Sequence, residues 1–291
     1  MWNYDAAMEV SVEKVWINGD LVDRDQAKIS VFDHGLVTGD GVFETVGVYR
    51  GVSFALEMHL NRLQRSAAGI GLPSLDLDVI RRGASLLLLE NKCVDGKLRI
   101  TVTGGESVLG SDRADVPPTI IIATGPRVEG LPTAKVSVAP WPRNERGALA
   151  GLKTISYAEN VAALAWAKAN GADEVIFGNI AGNLCEGSGS NIFIVLDDEI
   201  YTPPLSSGAL GGIARELIVS HLGIREKDFP LDILYSAELQ ECFLSSSIRE
   251  AQGISHIDGQ PTRISPGPFT LSIASEISKL IENEVRSGGT L

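Results

Sequence analysis

The sequence is poor in the residues that build disulfides, metal sites and nucleic-acid surfaces. Its 291 residues hold three cysteines and four histidines. Cys93, Cys185 and Cys242 are scattered, so they form neither a disulfide framework nor a Cys-x-x-Cys pair. With the histidines isolated as well, a zinc site is not expected. Basic residues number 25 against 37 acidic ones, a net charge of −12. That balance excludes a nucleic-acid or anionic-membrane surface, because both need clustered Lys and Arg. No apolar run reaches the roughly 18 residues of a membrane span. Residues 1–10 carry acids and lack the basic-then-apolar order of a secretory signal. A cytoplasmic protein is the expectation.

Apolar residues make up 44% and charged residues 21%, enough to bury a sizeable core. Length predicts about two domains. A strand over 14–17 runs into Asn18-Gly19, a hairpin signal. A glycine-bearing turn region over 33–41 precedes the apolar run 42–49. Leu60, Leu63, Ala67 and Ile70 form one stripe of an amphipathic helix over 57–70, and another helix fits 75–90. Strands over 97–103 and 119–123 follow. Residues 124–133 lose all periodicity and read as a linker between a small N-terminal domain, 1–123, and a larger one, 134–291.

The second half opens on a strand over 135–139. Ser156 and Glu159 have the spacing of a capping box for a helix over 157–170, which Gly171 ends. Strands over 174–177 and 191–195 flank the glycine-rich stretch 186–189. A helix starts after Gly211-Gly212, a short one fits 236–239, and the chain closes on a helix over 269–285. Strands and helices mix without regular βαβ alternation, which favours α+β.

Three features carry chemistry. Lys153 follows the apolar stretch Ala148-Leu149-Ala150-Gly151-Leu152, where an amine loses hydration and becomes nucleophilic; a loop lysine reaching for water fits the same residues. Glu186 lies between apolar strands, where a carboxylate needs a cationic partner such as a protonated heterocyclic nitrogen; a solvated hairpin glutamate is the plainer alternative. Leu210-Gly211-Gly212-Ile213-Ala214-Arg215 is a glycine turn entering a helix, a place for one phosphate. Neither a Walker A sequence nor a dinucleotide fingerprint is present. Arg62 on the amphipathic helix and Ser247 after Cys242-Phe243-Leu244 could add to a phosphate cup.

In combination the chain resembles the fold-type IV pyridoxal-phosphate enzymes, the class IV aminotransferases. The motifs are Gly39-Asp40-Gly41-Val42-Phe43-Glu44, His59-Leu60-Asn61-Arg62-Leu63, Ala150-Gly151-Leu152-Lys153, Glu186-Gly187-Ser188-Gly189-Ser190-Asn191, and the series from Thr202-Pro203-Pro204 to Gly212-Ile213-Ala214-Arg215. The resemblance implies a small α/β N-terminal domain, a larger pyridoxal-phosphate-binding domain with a β-barrel-like core, and a homodimer. It makes Lys153 the catalytic lysine that forms the aldimine and Glu186 the partner of the pyridinium nitrogen. Arg62, Ser247 and the N–H groups of Ile213 and Ala214 would hold the phosphate. Tyr157 would meet the phenolic oxygen, and Leu210 would pack on the ring. Ala214 and Ser247 stand where Thr is usual.

For the substrate, the resemblance gives Arg99 as a carboxylate anchor, with Phe43 and Trp141 as an apolar wall. That implies transfer of an amino group between an apolar, branched-chain-like amino acid or an amine and a 2-oxo acid. Gly104-Gly105-Glu106 stands where D-amino-acid enzymes carry an Arg-x-His pair, which disfavours that branch. The approach to the lysine, Arg143 through Leu152, also resembles the lyase branch that releases pyruvate and 4-aminobenzoate from aminodeoxychorismate. A non-catalytic binding module is the alternative of another class; an intact Lys153 and Glu186 argue against it.

Overall fold

The computed structural model describes residues 14–127 and 130–289. The segment 1–10 and the linker residues Val128 and Glu129 lie outside the described residues. Two compact units emerge from the contacts. One takes in residues up to 127, Leu152–Ser156 and 281–289; the other takes in 130–151 and 157–280. The division differs from the sequence reading, which kept 134–291 together. Two short segments return to the first unit because their backbone and side-chain bonds are made there.

The first unit holds β1 (Lys14–Ile17), β2 (Asp20–Asp23), α1 (His34–Thr38), β3 (Gly41–Tyr49), β4 (Val52–Ser53), α2 (Leu56–Gly69), α3 (Leu77–Glu90), β5 (Gly96–Thr103) and β6 (Thr119–Gly125). Its strands form one antiparallel sheet in the order β2-β1-β6-β5-β3-β4. The β1–β2 turn is the expected Asn18-Gly19, both at positive φ, 50° and 110°. Along β3, alternation turns Val42, Val46 and Val48 into a core shared with Leu60, Leu63 and Ala67 of α2. Glu44 shares that inward phase, and Phe43 takes the other. The start of α2 has no side-chain cap of its own. Glu284 supplies one from far along the chain, its two oxygens accepting from Ala55 N–H at 2.9 and 2.8 Å.

α1 falls in a region read as turn, because five residues are too few to show a helical period. Asp33 caps it by accepting from Gly35 N–H, and Gly39 ends it. His34 then meets acceptors on both sides: Asp40 Oδ2 lies 2.7 Å from Nδ1, and Gly110 O lies 3.0 Å from Nε2. A carboxylate and a carbonyl cannot donate, so a fully bonded ring carries both protons. The Asp40 hydrogen bond raises the His34 pKa above its ordinary 6.5, against burial. Burial pushes Asp40 up, but hydrogen bonds from Arg113 and His34 outweigh it and hold its pKa below the ordinary 3.8. A raised histidine pKa gives stability that is complete below the unfolded value and lost as pH rises through the folded one. The stability advantage of the wild type over His34→Gln should therefore be largest near pH 5 and shrink as pH rises above 7, read as melting temperature against pH. A difference that stays flat over that range would remove the imidazolium.

The second unit holds β7 (Thr133–Val138), α4 (Ala158–Ala169), β8 (Glu174–Gly178), β9 (Leu184–Gly187), β10 (Asn191–Leu196), β11 (Glu199–Thr202), α5 (Ile213–Leu222), β12 (Arg225–Glu226), β13 (Glu241–Ser246), β14 (Glu250–Ile257) and β15 (Gln260–Pro261). The final helix is α6 (Pro268–Ser287). Six strands close a barrel in the order β10-β13-β14-β7-β8-β9, sealed by β9 against β10. Ile176, Leu184, Ile192, Leu244 and Ile254 are among the residues that fill its core. Part of the glycine-rich stretch is thus the strand β9, whose apolar run is too short to announce itself.

Two local expectations fail. Ser156 and Glu159 form no capping box: α4 starts without a side-chain cap, Ser156 Oγ donates to Gly39 O, and Glu159 binds Arg143. Tertiary partners outbid the local ones. Residues 236–239 form a turn, in which Glu238 N–H donates to Ser236 Oγ, a side-chain bond that competes with helix. The helix after Gly212 and the closing helix stand where expected.

Candidate active site

In the first unit, Lys153 sits on the extended segment Leu152–Ser156, which backbone bonds add to the start of β3. Phe43 N–H donates to Lys153 O at 3.0 Å, and Ile155 N–H donates to Gly41 O at 2.9 Å. Lys153 N–H donates to Ser66 Oγ at 3.1 Å. Both peptide groups of this residue are thus bonded within the unit. Its Nζ lies 4.3 Å from the Phe43 ring centroid, and Arg99 Cζ lies 3.9 Å from the same centroid. Lys153, Phe43 and Arg99, chosen for different reasons from the sequence, are therefore neighbours. Arg99 is exposed on β5 while its guanidinium rests on the ring.

Arg62 is only 5% exposed, far from the solvated-face arginine its helix position also allowed. Its Nε and Nη2 donate to the two oxygens of Glu44 at 2.8 and 2.6 Å. His59 Nδ1 lies 2.6 Å from Glu44 Oε2. Burial pushes Glu44 up, but the hydrogen bonds of Arg62 and His59 and the charge of Arg62 outweigh it and hold the carboxyl at about 2. Burial pushes the His59 pKa below its ordinary value. A neutral ring donating from Nδ1 fits both facts. Glu44 and His59 stand out in the sequence only as members of their motifs, with no role attached. The signals were an acid at an inward position of an apolar strand, and two polar residues three apart on one helix face. Glu44→Ala would strand a buried guanidinium and should cost about 3–5 kcal/mol of stability by urea denaturation. A loss under about 1 kcal/mol would show that Arg62 finds water instead.

In the second unit, Glu186 lies on β9 at 9% exposure, which removes the solvated-hairpin alternative. Its Cα pairs with Phe177 of β8 and with Asn191 of β10, at the strand contact that closes the barrel. Oε2 accepts from Leu210 N–H at 2.8 Å, and Oε1 lies 3.5 Å from Arg143 Nη2. Asn191 Nδ2 donates to Leu210 O at 2.8 Å, tying the same loop to the barrel. Gly212 then enters α5, where a Cβ would collide with Asn191 Oδ1. No side chain caps α5, so the N–H groups of buried Ile213 and Ala214 head a ten-residue helix open to an anion.

Antiparallel register brings Ser245 of β13 opposite Asn191, at the same barrel end. Ser245 Oγ is buried without a hydrogen-bond partner, a polar group waiting for one. Ser247 lies half-buried in the turn two residues on, and Tyr157 half-buried just before α4. Trp141 packs edge-on against Trp166 of α4, ring centroids 6.1 Å apart. Arg143, which the sequence marked only as the start of the lyase-like approach to the lysine, lies beside Glu186. Among the described residues, no group of three or more His, Cys, Asp or Glu could hold a metal ion, and no helix is long and apolar enough to cross a membrane.

The first unit thus offers a lysine amine beside an aromatic ring, and the second a buried carboxylate near an uncapped helix N-terminus, suited to a cationic group and an anion. Comparison with known proteins agrees. The family model for class IV amino-transferases matches residues 41–257. A protein of Methanocaldococcus jannaschii, provisionally named a branched-chain-amino-acid aminotransferase, is 34% identical over 262 residues, 85% of this chain and 88% of that one. The D-alanine aminotransferase of Staphylococcus aureus strain COL is 30% identical over 293 residues, 94% of this chain and 99% of that one. The crystal structure of the Escherichia coli branched-chain aminotransferase superposes with a TM-score of 0.85 at 27% identity, covering 92% of this chain and 94% of that one. With that extent of matching, the chain belongs to the class IV aminotransferases.

Proposed function

We propose that the protein is a pyridoxal-phosphate-dependent aminotransferase acting between an apolar, branched-chain-like amino acid, or an amine, and a 2-oxo acid. The observation that carries this reading is the donor set at the barrel end. A buried carboxylate, Glu186, accepts from Leu210, three residues before an uncapped helix N-terminus. Those two poles suit a protonated ring nitrogen and a phosphate. The unsatisfied Ser245 Oγ at the same end fits a missing polar ligand.

Pyridoxal phosphate, when bound, supplies an electron sink for negative charge at the substrate Cα. Lys153 would carry it and move the proton at Cα, its peptide anchored by Phe43 N–H and Ser66 Oγ. Glu186 would keep a proton on the ring nitrogen. The phosphate would be held by Ile213 and Ala214 N–H, Ser247 and Arg62, whose guanidinium Glu44 already orients. Ala214 has no hydroxyl to offer, so its contribution rests on the backbone. Tyr157 would meet the phenolic oxygen, and Leu210 the ring face. Phe43 and Trp141 would line the pocket for an apolar side chain. Arg99, with Cζ over the Phe43 ring, is the candidate grip for the substrate carboxylate.

The minimal unit in this reading is a homodimer. Ile29, Val31, Phe32, Leu36, Val108 and Leu109 are exposed large apolar residues of the first unit. Bonds from Ser107 N–H to Phe32 O and from His34 N–H to Gly105 O bring their two segments together, the kind of patch that marks a docking surface. Sedimentation should give a dimer; a fully active monomer would refute it.

The test of the reaction is a pair of half-reactions on the loaded protein. Leucine should change the cofactor absorbance, D-alanine beside it should do so far less, and a 2-oxo acid should restore it. Silence across a broad panel, with pyruvate released from aminodeoxychorismate, would replace this reading with the lyase.

A further inference from the structure

Arg143 has no role in the reading above, yet it stands against the carboxylate on which that reading depends. Its Nη2 lies 3.5 Å from Glu186 Oε1, and the two side chains are 13% and 11% exposed. Other contacts fix the guanidinium. Nη1 lies 2.5 Å from Glu159 Oε2 and 3.1 Å from Asn160 Oδ1, donating to both, and Cζ lies 4.1 Å from the centroid of the Phe177 ring. Asn160 also donates to Ser188 O at 2.5 Å, so α4 braces the turn that follows Glu186. Arg143 Nε is buried and has no hydrogen-bond partner.

The contacts of Leu210 and Arg143 to Glu186 differ in kind. Leu210 N–H, at 2.8 Å, is a full hydrogen bond and sets the direction of the carboxylate. Arg143, at 3.5 Å, is too far for a strong hydrogen bond and acts as a charge. Charges this close and this shielded from water interact strongly. A guanidinium beside one oxygen draws on the carboxylate's charge and weakens its pull on a second cation. We infer that Arg143 is a positioning residue that limits how tightly Glu186 holds a protonated ring nitrogen. It does this through Glu186 and touches no reacting atom. The effect is useful to an enzyme that must bind its cofactor firmly without trapping the ring proton in one arrangement.

The inference rests on the proposed function, and its test separates the two. The full chain, freed of cofactor, is titrated with pyridoxal phosphate and with the analogue whose ring nitrogen is replaced by CH. The ratio of the two affinities reports the nitrogen contact and cancels losses common to both ligands. Wild type should prefer pyridoxal phosphate, and Glu186→Gln should erase that preference. Arg143→Met should raise the preference at least fivefold, and Arg143→Lys should bring it back to within twofold of wild type. Arg143→Gln, which keeps a donor toward Glu159 and Asn160, serves the same measurement if the methionine variant does not fold. An unchanged or lowered ratio in a folded Arg143 variant would overturn the inference, while a wild-type preference lost in Glu186→Gln leaves the reading of Glu186 standing. If wild type shows no preference, the role given to Glu186 fails, and the inference falls with it.

Discussion

Lys153→Ala is expected to lower turnover by about four to six orders of magnitude, the scale seen when a covalent catalyst is removed. The structure makes this a clean experiment. Lys153 is held by its own N–H and C=O, to Ser66 Oγ and Phe43 N–H, and alanine keeps both bonds. The Nζ contact with Phe43 is among the interactions that the side chain loses. An exposed-to-half-buried cation–π contact is worth about 0.5–2 kcal/mol, so the melting temperature should move little. Activity within tenfold of wild type would mean that another amine carries the cofactor. Reduction with borohydride followed by peptide mapping identifies which one.

Glu186→Gln should slow removal of the Cα proton by about two to three orders of magnitude while the cofactor remains bound. The amide keeps the size of the carboxylate and an oxygen for Leu210 N–H, so the loop before α5 should hold its place. What disappears is the negative charge. An amide nitrogen turned toward Arg143 would also face a cation in place of an acceptor, 3.5 Å from where Oε1 stood. Stopped-flow measurement of the first half-reaction reads the proton step directly. An unchanged rate would reduce Glu186 to a structural residue closing the barrel between β8 and β10. The phosphate end of the proposed site should be untouched in this variant, because the Ile213 and Ala214 N–H groups proposed there lie on α5, which the substitution does not reach.

The sequence by itself determined the longer periodic elements and the kinds of chemistry available. Apolar residues three and four apart specified α2 and α3, and turn residues at Asn18-Gly19 and Gly211-Gly212 marked where chain direction or structure changes. Lys153, Glu186 and the glycine turn before α5 could be singled out because each is a polar feature set in an apolar or structured context. Such signals are local, and a local reading recovers them.

Only the tertiary structure decided which partners these residues take. Ser156 and Glu159 had the right spacing for a capping box, but Gly39 O and Arg143 claimed their side chains. Glu44 acquires its meaning from His59 and Arg62 across a strand–helix contact. The strand β9 exists because β8 and β10 supply hydrogen bonds to both its edges. Leu152–Ser156 joins β3 across more than a hundred residues of chain. In each case the energy lies in hydrogen bonds and charges between residues far apart in sequence. Periodicity records which side of an element is apolar; it carries no information about which distant polar group will be waiting there.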